Sequence, residues 1–82
     1  MISKIKIGKQ IFEDVRLVGF GSFGFGTDSD GFLIVIESNG KKYAIAPSSG
    51  KVFNVVERGA QLLVEVPYSG GRVYRAPLRF KL

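Results

Sequence analysis

A chain of 82 residues with a net charge of +5, no cysteine and no histidine has room for one domain and one core, and it cannot carry a disulfide framework or a thiolate metal site. The same absences remove the commonest proton shuttle and the Ser-His and Cys-His pairs, so no catalytic residues, no metal and no cofactor are expected. The longest apolar run, Phe32 to Ile36, is far short of the roughly 20 residues of a membrane-spanning helix, and Met1 to Lys9 has no apolar signal region, so no membrane span and a cytoplasmic location are expected.

Charge is segregated along the chain. Lys4, Lys6 and Lys9 at the start and Arg72, Arg75, Arg79 and Lys81 at the end bring +7 with no acid among them, which leaves −2 for the middle. Turn signals recur about every ten residues, at Gly8, Gly19 to Gly31, Asn39-Gly40, Ser49-Gly50, Gly59 and Gly70-Gly71, the spacing of an all-β sandwich or barrel. No segment has the apolar period of a helix.

In chain order, Ser3 to Ile7 alternates Ile5 and Ile7 with Lys4 and Lys6, and Gln10 to Val18 follows as a second strand. Gly19 to Gly31 then mixes glycine with Phe20, Phe23 and Phe25 and ends in Thr-Asp-Ser-Asp-Gly, which reads as a wide mobile hairpin. Phe32 to Glu37 is apolar on both parities, the pattern of a central strand covered on both sides or meeting a partner. Asn39-Gly40 marks a tight type I′ hairpin, since both central residues need positive φ, and Lys41 to Ala46 returns from it. Lys51 to Val56 follows, and Leu62, Val64 and Val66 share a face opposite Leu63 and Glu65. The last segment sets Tyr74, Ala76, Leu78 and Phe80 against Arg75, Arg79 and Lys81, with Pro77 marking an edge or closing strand.

Six or seven short strands without a covering helix predict an all-β, single-domain, small antiparallel barrel of the SH3-like or OB-like kind, spanning residues 1 to 82. Gly19-Phe20-Gly21-Ser22-Phe23-Gly24 resembles the glycine-rich loop of protein kinases, and Tyr43-Ala44-Ile45-Ala46 stands where such a kinase has its lysine strand. Ala46 occupies that lysine's place, and the chain has no His-Arg-Asp or Asp-Phe-Gly, so the resemblance implies no phosphotransfer. Asp28-Ser29-Asp30-Gly31 is met by an Asp-Gly turn without a calcium ion.

The expected function is a non-enzymatic binding module. If the first and last strands neighbour one another, Lys4, Lys6, Arg75, Arg79 and Lys81 form a basic face for nucleic acid or another polyanion, and Phe20, Phe23 and Phe25 stack on bases. The alternative is a protein-interaction or homo-oligomeric assembly module using the Phe loop with Leu33, Val35 and Leu63, taken as the outward parity.

Overall fold

The computed structural model describes residues 4–25 and 28–81, with the side chains of all of these except 24, 25, 28–31, 68 and 81. Nine strands are present among the described residues: β1 (Lys4–Ile7), β2 (Gln10–Glu13), β3 (Arg16–Phe25), β4 (Asp28–Ser38), β5 (Lys41–Ala46), β6 (Lys51–Arg58), β7 (Gln61–Tyr68), β8 (Arg72–Pro77) and β9 (Arg79–Lys81). The tight turn between β4 and β5 forms as the sequence requires, with φ of 53° at Asn39 and 80° at Gly40.

Seven strands form one antiparallel sheet in the order β8-β7-β6-β5-β4-β3-β9, while β1 and β2 pair only with each other among the described residues. A single residue, Leu78, separates β8 from β9, so one stretch of chain pairs with β7 at its first half and with β3 at its second. Both edges of the sheet are therefore built from that stretch, and the sheet curls into a half-barrel, the small barrel-like form that the turn spacing implies. Pro77, with no N–H to donate, sits at the end of the edge strand β8, where it costs no ladder bond within the sheet.

The register aligns the core. Val35, Ala44 and Phe53 lie side by side across β4, β5 and β6, and Val55, Val64 and Ala76 continue the inward face across β6, β7 and β8. Leu33 and Val35 are fully buried in this core. They are not an outward assembly surface, which corrects the expectation drawn from their parity. The outward parity of β4 is Phe32, Ile34 and Ile36.

A second apolar cluster explains why β4 reads as apolar on both parities. The β1–β2 hairpin lies on the outward face of β4 and β5, where Phe12 packs with Ile36 and Ile45, flanked by Ile5, Ile7, Val15 and Tyr43. The Phe12 and Tyr43 rings meet with centroids 4.8 Å apart. The buried Ser38 hydroxyl donates to the Glu13 carbonyl and fixes the end of the hairpin to β4.

Candidate functional site

The Gly/Phe stretch is not a mobile finger. From Gly19 to Phe25 it is part of β3, paired with β4 on either side of an irregularity at Ser22 and with β9 over Phe20 to Ser22. Its glycines have a steric purpose. A Cβ on Gly21 would stand 2.4 Å from the Arg79 carbonyl oxygen, and one on Gly19 would stand 3.1 Å from the Phe80 ring. A side chain at Gly21 would hold β9 off the sheet, so glycine there is what lets the last strand close onto β3, and Gly19 leaves room for the Phe80 ring.

Alternation then sends the phenylalanines to different places. Phe23 points inward, is 5% exposed, and meets Phe53 edge-to-face at 5.5 Å, so it is a core residue and is unavailable for stacking on a ligand. Phe20 points outward and lies against Phe32 of β4, the ring centroids 5.7 Å apart and the planes within 16°. Both remain accessible, 41% for Phe20 and 48% for Phe32. The Phe25 side chain lies outside the described residues. Sequence reading missed Phe32; the signal was its parity, shared with Ile34 and Ile36 on the outward face.

β9 sets two cationic residues in register with β3. Lys81 stands directly opposite Phe20 in register and Arg79 opposite Ser22, so across β9, β3 and β4 the rows run Lys81, Phe20, Ile34 and then Arg79, Ser22. Arg79 has no carboxylate partner among the described residues, and the Lys81 side chain lies outside them. Asp28 and Asp30 stand on β4 opposite Phe25 and Phe23, across β3 from β9.

The other expected cations stand on different strands. Because β1 pairs with β2 and not with β9, Lys4 and Lys6 ride on the hairpin over β4 and β5, with Lys4 3.9 Å from Glu13. Arg75 is on β8, where it donates to Glu65 at 3.2 Å. First and last strands do not pair with one another, so the ladder does not itself join the five cations into one face. Leu63 does take the outward parity of β7, half-buried between Val56 and Pro77.

A second charged group closes one end of the half-barrel. Arg16 donates to Glu37 at 2.8 Å, and Lys42 bridges Glu37 and Glu57. The Arg16 hydrogen bond holds the Glu37 carboxyl below the usual carboxylate range against an opposing desolvation effect. Its bond to Glu57 raises Lys42, and Glu37 raises Arg16. Every charge here is answered by its opposite, so this cluster organises strand ends and offers no unpaired charge to a ligand.

Comparison with protein-family models, with curated proteins and with solved structures returns no match. Among the described residues no helix is long and apolar enough to cross a membrane. Function is accordingly read from the chain's own residues.

Proposed function

We propose that the protein is a non-enzymatic binding module for a polyanion, nucleic acid being the leading class, and that its contact surface is the outward face of β9, β3 and β4. The supporting observation is the juxtaposition of an exposed aromatic pair, Phe20 and Phe32, with an arginine, Arg79, that has no acid partner among the described residues. Two large rings left in water cost free energy that a partner recovers, and an unanswered cation beside them selects for negative charge. Arg79 and Lys81 are the principal cations of this reading, Arg75 is a weaker contributor because Glu65 engages it, and Lys4 and Lys6 are carried by the β1–β2 hairpin rather than by the sheet.

Titration of a labelled single-stranded oligonucleotide, followed by fluorescence anisotropy, tests the reading. Arg79→Glu is expected to weaken binding at least tenfold, whereas Lys6→Glu changes it little. Binding that ignores salt, or equal effects of the two reversals, would remove this surface from consideration.

The assembly alternative keeps one specific support, the exposure of Leu17 and Val18 on β3 and of Phe80 on β9. It predicts a solution mass above that of the monomer, lowered by Leu17→Asp. A monomer at all concentrations rules out its homo-oligomeric form.

A further inference from the structure

We infer that the polyanion is a single-stranded nucleic acid, held by stacking of its bases on the Phe20–Phe32 pair while its phosphates follow β9. This rests on the polyanion reading above and narrows it. The rings of Phe20 and Phe32 are near-parallel, stacked on one another and half-exposed on the outward face of the sheet, so aromatic surface is open to a partner. Such a platform matches a π-face in an extended, unpaired strand and tolerates any base. In a duplex the base faces are already stacked on their neighbours, so only the phosphates are available to meet it. Sulfated sugars and polyphosphate have no π-face and gain only from the cations.

The lateral order fixes how the strand lies. Arg79 and Lys81 are two residues apart on β9, about 6.8 Å along the strand. Phe20 is on the next strand and Phe32 on the one beyond, at about 5 and 10 Å across the sheet. A phosphodiester lying along β9 therefore places its bases outward over β3 and β4, on the rings.

The test compares four labelled or competing probes on the full chain: a short oligothymidine, an abasic strand of the same length, a duplex of the same length and heparin. Oligothymidine is expected to bind at least tenfold tighter than the abasic strand and the duplex. Phe20→Ala and Phe32→Ala, both at exposed positions, are expected to weaken oligothymidine roughly 5- to 150-fold and to leave heparin unchanged. Phe20→Trp, which keeps a ring, restores the oligothymidine affinity. Equal salt-dependent affinity for all four probes overturns the single-strand inference and leaves the polyanion reading standing. No binding to any of them overturns both. If Phe32→Ala instead dissociates a dimer without affecting oligothymidine, the ring pair belongs to an assembly surface and the inference fails.

Discussion

Gly21 is the residue at which sequence and closure meet most tightly. Its added Cβ would clash with a backbone carbonyl rather than a side chain, 2.4 Å from the Arg79 oxygen, so relief requires the two strands to separate. Gly21→Ala is expected to destabilise the fold by about 1–3 kcal/mol or more and to strip hydrogen-exchange protection from β9. Gly19→Ala meets the half-exposed Phe80 ring, which can rotate away, and should cost less. Thermal or denaturant unfolding of the two variants separates them. Leu33 shows the limit of reading at this scale. In a run such as Phe32-Leu33-Ile34-Val35-Ile36 both parities are apolar, and nothing local says which of the two cores each one enters. The structure sends Leu33 to the larger core, so Leu33→Ala should cost about 2–5 kcal/mol and leave the mass of the folded protein unchanged.

At the scale of elements, the turn grammar and the alternation of β5, β6 and β7 were legible, because each strand there has one apolar and one polar face. Glycine misled the reading of β3, since a residue that usually marks a loop is here dictated by the approach of β9, a strand some 60 residues away whose position no local pattern reveals. The hairpin of β1 and β2 was legible as two strands but not as a separate layer. It joins the sheet through side chains and the Ser38 hydroxyl rather than through a ladder. It is therefore expected to open before the barrel does, with the amides of β1 and β2 exchanging faster than those of β5 and β6. Phe12→Ala should widen that gap, lowering protection in the hairpin far more than in β6. The charged row that ties Arg16, Glu37, Lys42 and Glu57 across four strands carries its own pH signature. Glu37 is lower in the folded state than in the unfolded, so its stabilisation is present above the unfolded value, about 4.3, and is lost as the pH falls through the folded one. Glu37→Gln should flatten this acid limb of the stability curve.

For the whole molecule, the two basic ends of the sequence are carried by different structural elements. The two basic ends reach the folded surface on different layers: the N-terminal lysines on the hairpin over β4 and β5, and Arg79 and Lys81 on the strand that closes the sheet. A net charge of +5 then acts as a diffuse attraction, while β9 sets its cationic residues in register with the strand that carries Phe20. This division makes the salt response quantitative. Each phosphate neutralised on a single strand contributes a slope of about −0.7 in log affinity against log salt, and β9 can meet two or three phosphates. Affinity for oligothymidine should thus fall about tenfold between roughly 50 and 200 mM salt. Arg79→Ala should reduce the slope by about 0.7, while Lys6→Ala should lower affinity at low salt only slightly and leave the slope as it was. A slope that responds equally to both substitutions would mean that the charge acts without regard to position, and β9 would no longer be the phosphate contact.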